Sequence, residues 1–186
     1  MGMPLVWVGA ESLVTPVITR VWAMPSPNTF SIPPIARLLD RWLTDCSVIV
    51  DPFARTAVYG TVTNDLDPAQ PTQYHLEATE FCRVLCQQGL QVDAILFDPP
   101  YSSRQVSECY KGVGRHVGMQ DTQTGRLYKT VRDGLDALAR PGTVAISCGW
   151  NSAGFGVKRG YVLHEILLVA HGGAHNDTIV TVEVKS

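Results

Sequence analysis

The hydrophobic pattern divides the chain into alternating strand-like and helix-like segments. Residues 92–97, VDAILF, form an apolar run bounded by Gly89 upstream and Pro99-Pro100 downstream. A short run of that kind reads as a strand buried on both faces. Runs at 17–22, 47–51, 60–64 and 143–148, with shorter pieces at 5–8 and 74–76, predict further strands. Between them, residues 32–43 repeat Ile35, Leu38, Leu39 and Trp42 at helical spacing, with Ser31 as the cap and Pro33 or Pro34 in the first turn. Residues 78–88 repeat Phe81, Val84 and Leu85 and stop at Gly89, and 122–138 is a third helical stretch ended by Pro141-Gly142. Two long β-rich runs, 161–170 and 178–184, flank a His- and Gly-rich turn, which is a hairpin signal. This alternation predicts an α/β protein. One crossover is too short for a helix: only residues 52–60 separate two strands, where about ten or more are usual.

Composition narrows the class. With 186 residues and 45% hydrophobic content, the chain suits one compact domain over 1–186. The net charge of −2 gives no overall attraction to nucleic acid, but residues 102–132 hold six basic against two acidic side chains, +4, leaving −6 elsewhere. Within that stretch Gly112, Gly114 and Gly118 predict a loop, and Arg104, Lys111 and Arg115 are candidate phosphate contacts; Lys158 and Arg159 add a second basic turn. The five cysteines and the trio His164, His171 and His175 lack paired metal-ligand spacing, so no metal is expected. With no run near 18 apolar residues and no leader pattern, the expectation is a soluble cytoplasmic protein with no membrane partner.

The candidate chemistry sits just past residues 92–97. In open α/β sheets, ligands bind outside the carboxyl ends of the strands. Asp98 and Tyr101 fall there, and the two prolines between them remove backbone donors and fix φ, giving a rigid corner. An exocyclic amine on a nucleobase is a poor nucleophile because its lone pair is delocalised into the ring. A carboxylate at Asp98 and the carbonyl of Pro99 can accept both amine protons and localise that lone pair. Tyr101 can stack on the base, worth about 1–3 kcal/mol.

Asp98-Pro99-Pro100-Tyr101 resembles the catalytic motif of the S-adenosylmethionine-dependent amino-methyltransferases, in the form usual for adenine-N6 DNA methyltransferases. Residues 22–32 and Ser102–Tyr110 resemble small phage and viral members of that group. The resemblance implies a Rossmann-like class I methyltransferase fold, with a mostly parallel seven-stranded sheet closed by a C-terminal antiparallel hairpin. It divides the domain into an N-terminal segment and helix (1–45), a cofactor half (46–98) and a catalytic half (98–186). It also implies roles for further residues. Phe30 and Ser31 would help hold the methionine end of S-adenosyl-L-methionine. Asp51-Pro52-Phe53 resembles the first cofactor motif, with Asp51 toward the amino group. Asp65 and Leu66 would meet the ribose, and Glu77 and Ala78 the adenine. One departure is plain: Arg55 stands where the family pattern has glycine.

The implied reaction is methyl transfer to adenine N6 on a base flipped from duplex DNA. Cytosine-N4 in DNA, adenine-N6 or guanine-N2 in RNA, and an inactive binding module remain alternatives. For a viral protein the compartment would be the host cytoplasm. No separate recognition domain is visible, so base-edge contacts fall to the loop after Tyr101, the N-terminal segment or the second subunit of a homodimer, with short or relaxed specificity as the expectation.

Overall fold

The computed structural model describes residues 14–114, 124–173 and 175–186. Its centre is the apolar run read above: β4 (Val92–Phe97), buried on both faces and flanked by parallel neighbours. Around it lie β1 (Val17–Trp22), β2 (Ile49–Asp51), β3 (Val62–Thr63), β5 (Ala139–Gly149), β6 (Tyr161–Ala170) and β7 (Thr178–Lys185). They form a seven-stranded sheet in the order β1-β6-β7-β5-β4-β2-β3. Every pairing is parallel except those of β7, which runs antiparallel to both β5 and β6. The mostly parallel sheet with a terminal hairpin is therefore as expected.

Helices cover both faces. On one, α1 (Pro33–Trp42) sets Ile35, Leu38 and Leu39 against Ala94, Leu96, Ile146 and Val182. On the other, α2 (Ala78–Gln87) and α4 (Thr124–Asp136) pack Phe81, Leu85, Val131 and Leu135 on Val50, Ile95, Phe97 and Ala145. The strand alternation is what splits Leu96 from Phe97 between these two cores. Each fully buried side chain of this size contributes about 1.5–3 kcal/mol.

Several local expectations are corrected. The stretch after Tyr101 is not a loop: α3 (Ser103–Gly112) starts there on a capping box, in which the Ser102 side chain accepts from the Gln105 backbone and Gln105 reaches back. That Ser-x-x-Gln signal was present in the sequence. Ser31 does not cap α1; Ile32 occupies that position, and the Ser31 hydroxyl donates to the Asn28 carbonyl at 2.7 Å within the short turn Thr29–Ser31. Residues 74–76 make only an isolated bridge, Asn64 to Tyr74. Pro141-Gly142 lies inside β5 rather than before it. Residues 5–8 fall outside the described part. The 52–60 crossover holds no helix.

The segment after β5 is held by a buried carboxylate. Glu183 on β7 accepts the backbone N–H groups of Phe155 at 2.6 Å and Gly156 at 2.9 Å. Gly154 there has φ +50°, and a Cβ on it would lie 2.1 Å from Glu183 Oε2, so only glycine fits. Phe155 is thereby set against Phe97, with ring centroids 5.9 Å apart. Replacing Glu183 by alanine leaves two donors without their acceptor, an expected loss of about 2–4 kcal/mol, and Glu183→Gln, which keeps one acceptor, should lose less. Urea denaturation of both variants measures this, and equal stability of Glu183→Ala and the parent chain would remove the carboxylate from this role.

Candidate functional site

The carboxyl ends of β2, β4 and β5 open into a cavity of about 760 Å³, within the roughly 300–1,000 Å³ usual for small-molecule sites. It is placed where an open parallel sheet puts its ligands. Asp98, Pro99, Pro100 and Tyr101 line it, as do Pro52, Phe53, Asp65, Leu66, Glu77 and Ala78. Four segments distant in sequence thus meet at one edge because each follows, or lies beside, a strand that ends there.

Asp98 closes β4. Burial pushes its carboxyl pKa up, while hydrogen bonds from Tyr101 and Thr29 and the charge of Arg55 work in the opposite direction. Tyr101 lines the cavity beside it: its hydroxyl donates to Asp98 Oδ1, and Trp150 meets its ring edge-on, with centroids 5.7 Å apart. The Pro100 carbonyl is taken by the hydroxyl of Tyr128 on α4, which braces the proline corner from outside.

The other expected residues separate into three groups. Asp65 lines the cavity, and its two oxygens accept the backbone N–H groups of Asp67 at 2.9 Å and Arg55 at 3.1 Å. Glu77 accepts the Tyr110 hydroxyl at 2.7 Å, tying the start of α2 to α3. Asp51 is fully buried at the end of β2: Oδ1 accepts Phe53 N–H at 3.0 Å, and Oδ2 has no hydrogen-bonding partner among the described residues. Burial pushes its pKa up to about 8, with the charges of Asp98 and Asp65 adding to the shift.

Phe30 and Ser31 do not line the cavity. Phe30 is 4% exposed and packs edge-on to Tyr59 in the α1 core, and Ser31 bonds within its own turn; their neighbours Thr29 and Ile32 reach the cavity instead. The basic residues are dispersed. Arg104 pairs with Glu108 along α3 at 2.8 Å, and Lys111 lies in the last turn of that helix. Lys158 and Arg159 precede β6, whose first residue pairs with Lys185 at the end of the sheet away from Asp98. Arg159 is further committed to Asp133 and to the Phe155 carbonyl, so it is a structural contact rather than one facing a ligand at the cavity. Arg115 lies outside the described residues. Among the described residues no cluster of metal-ligating side chains occurs, and no helix is long and apolar enough to cross a membrane.

Thr29, Tyr128 and Trp150 were not foreseen as site residues. Trp150 follows a predicted strand end, a placement that sequence reveals; Tyr128 carries no local signal, because only the packing of α4 on β4 brings it to Pro100.

No family model matches the sequence, and no curated protein matches it. Solved structures do share the architecture. TrmN from Thermus thermophilus aligns with a TM-score of 0.54 at 20% identity, covering 83% of this chain and 49% of that one. NSun6 from Pyrococcus horikoshii, solved with SFG, gives 0.54 at 14% identity, covering 80% and 50%. The N-methyltransferase NodS from Bradyrhizobium japonicum, in complex with S-adenosyl-L-homocysteine, gives 0.52 at 10% identity, covering 86% and 88%. The chain spans about half the length of the first two, 49% and 50%. The fold is that of the Rossmann-like class I methyltransferases.

The Asp51 carboxyl generates a pH dependence. Burial pushes its pKa up to about 8, against the ordinary carboxyl value of 3.8. Between those limits the folded state binds the extra proton. Its contribution to stability is therefore complete below the lower value and is lost as the pH rises through the upper one, by at most about 1.4 kcal/mol per pH unit. Asp51→Asn should flatten that slope in urea denaturation between pH 5 and 8. Parallel pH profiles for the two chains would show that Asp51 is ionised in the fold.

Proposed function

We propose that this chain transfers the methyl group of S-adenosyl-L-methionine to the N6 amine of adenine in DNA. What carries the reading is the Asp98-Pro99-Pro100-Tyr101 corner, standing at the end of the central parallel strand and facing a cavity large enough for both a cofactor and a base. The residues present suit the cofactor. Asp51 offers a buried oxygen without a partner near the strand end, Asp65 a carboxylate for hydroxyls, and Leu66 and Ala78 apolar surface for a flat ring.

When bound, S-adenosyl-L-methionine supplies an electrophilic methyl group on a positively charged sulfur. The protein's part is placement. Asp98 and the Pro99 carbonyl accept the two amine protons and direct the nitrogen lone pair toward the methyl carbon. The Tyr101 hydroxyl, which holds Asp98 Oδ1 in this structure, gives way to the incoming amine, and its ring is then released to stack on the base. As the N–C bond would form and the S–C bond break, with S-adenosyl-L-homocysteine leaving as a neutral thioether, the amine would become positive, and the buried Asp98 carboxyl would stabilise that charge until solvent takes the proton. Positioning of this kind accounts for most of the rate enhancement such a site needs.

The nearby helix α3 supplies the first basic surface beside the corner through Lys111 and Arg104. Contacts to base edges would come from α3, the N-terminal segment or a second subunit, in keeping with short or relaxed sequence specificity. The decisive assay uses radiolabelled S-adenosyl-L-methionine with DNA and RNA, followed by nucleoside analysis. Label is expected at adenine N6 of DNA, and Asp98→Ala should reduce transfer by about 10²-fold or more. Label in RNA or at cytosine N4 would reassign the substrate. Failure of calorimetry to detect S-adenosyl-L-methionine binding would sink the enzymatic reading altogether.

A further inference from the structure

Arg55 is the one residue at which this chain departs from the glycine of the pattern it resembles, and its geometry is unusual. It is the single non-glycine residue with positive φ among the described residues, at +47°. The backbone thus keeps the left-handed conformation that suits glycine, while a long cationic side chain has been added to it. That side chain is exposed and lines the cavity.

The loop around it has committed the donors nearest Arg55 to the protein itself. The N–H of Phe53 is bonded to Asp51, that of Ala54 to the Asn64 carbonyl, that of Arg55 to Asp65 and that of Ala57 to the Ala54 carbonyl. Backbone amides that a more open glycine loop would turn toward an anion are here directed inward. The anion-binding capacity that these four amides no longer supply falls to a side chain.

Arg55 is also the only Lys or Arg among the described residues that line the cavity, whereas Asp65, Asp67, Glu77, Asp98 and Glu108 are all carboxylates. Among the described residues its guanidinium bonds one group, the Pro27 carbonyl at 2.7 Å. A guanidinium carries five N–H donors in a planar fork, so most of them remain for a ligand. The fork suits a carboxylate bidentately.

We propose that Arg55 anchors the carboxylate of the amino-acid end of the sulfonium cofactor, replacing the backbone donors that its own loop has consumed. The inference rests on the cofactor assignment above. A nucleic-acid phosphate is the competing anion, but Arg55 sits in the loop directly after Asp51-Pro52 and bonds Asp65 through its backbone, which places it in the cofactor half of the cavity.

The test compares two ligands by calorimetry: S-adenosyl-L-homocysteine, which carries the carboxylate, and 5′-methylthioadenosine, which lacks the amino-acid end. Arg55→Met should weaken the first by about ten- to a hundredfold and leave the second within about twofold. Arg55→Gly, which fits the left-handed backbone, should show the same selective loss, and Arg55→Lys an intermediate one. Equal weakening of both ligands would assign Arg55 to holding the Pro27 strap and overturn the proposal, as would no change in either. Loss of oligonucleotide affinity with the ligand ratio intact would overturn it in favour of a phosphate contact. If the parent chain binds neither ligand, the cofactor assignment fails first and this inference with it; binding of both by the parent with no selectivity at Arg55 defeats the inference alone.

Discussion

Desolvation of two carboxyl groups at the ends of adjacent parallel strands is the constraint on which this site is built. The register sets Val50 beside Ile95, so that β2 and β4 deliver Asp51 and Asp98 to the same edge. Burial raises both pKa values, and the charge of Asp98 adds to the shift at Asp51. Such an arrangement is unfavourable for stability, since a buried charge without a full set of partners costs free energy. The hydrophobic cores on the two sheet faces offset it. Perturbed carboxyls in a cleft are the usual mark of a functional site; Asp98 lines the cavity, while Asp51 lies buried directly behind Pro52 and Phe53, which do.

The rest of the corner manages that cost. Tyr101 and Thr29 hydrogen-bond Asp98, Tyr128 takes the Pro100 carbonyl, and Trp150 leans on the Tyr101 ring. Each of these groups belongs to a different element, so the corner is fixed by tertiary packing as well as by its prolines. The Tyr101 hydroxyl satisfies one oxygen of the carboxyl while its ring lines the cavity.

Much of this was legible in the sequence where local physics decides the outcome. The double-sided burial of 92–97, the proline stop, the loop too short for a helix at 52–60 and the terminal hairpin follow from period, length and turn chemistry, and all four are present. What escaped has identifiable reasons. Helix α3 was missed because glycines at 112 and 114 were given more weight than the capping box at Ser102 and Gln105. Phe30 is an aromatic at a plausible position, yet its side chain turns into the α1 core while Thr29 faces the cavity. One residue of register separates the two, and sequence does not fix it in an irregular segment. Lys158 and Arg159 read as a basic patch, but strand direction carries them to the far end of the sheet, and Asp133 neutralises Arg159. Charge runs reveal composition, whereas topology decides which edge they occupy.

Charge also limits what can enter the cavity. Five carboxylates and a single guanidinium line it among the described residues, so its field disfavours a polyanion and favours a cationic or neutral ligand. The proposed sulfonium cofactor, with an ammonium group and one carboxylate, would match that distribution, two positive centres toward the acids and one negative centre toward Arg55. A nucleobase is neutral, so it can occupy the remainder while its phosphates stay outside. Arg104 cannot be counted as free for those phosphates, because Glu108 holds it along α3, although an exposed pair of this kind is worth at most about 1 kcal/mol and yields to a stronger anion. Under the proposed function, this charge distribution suits a base turned out of its stack into the cavity better than a helix laid across it.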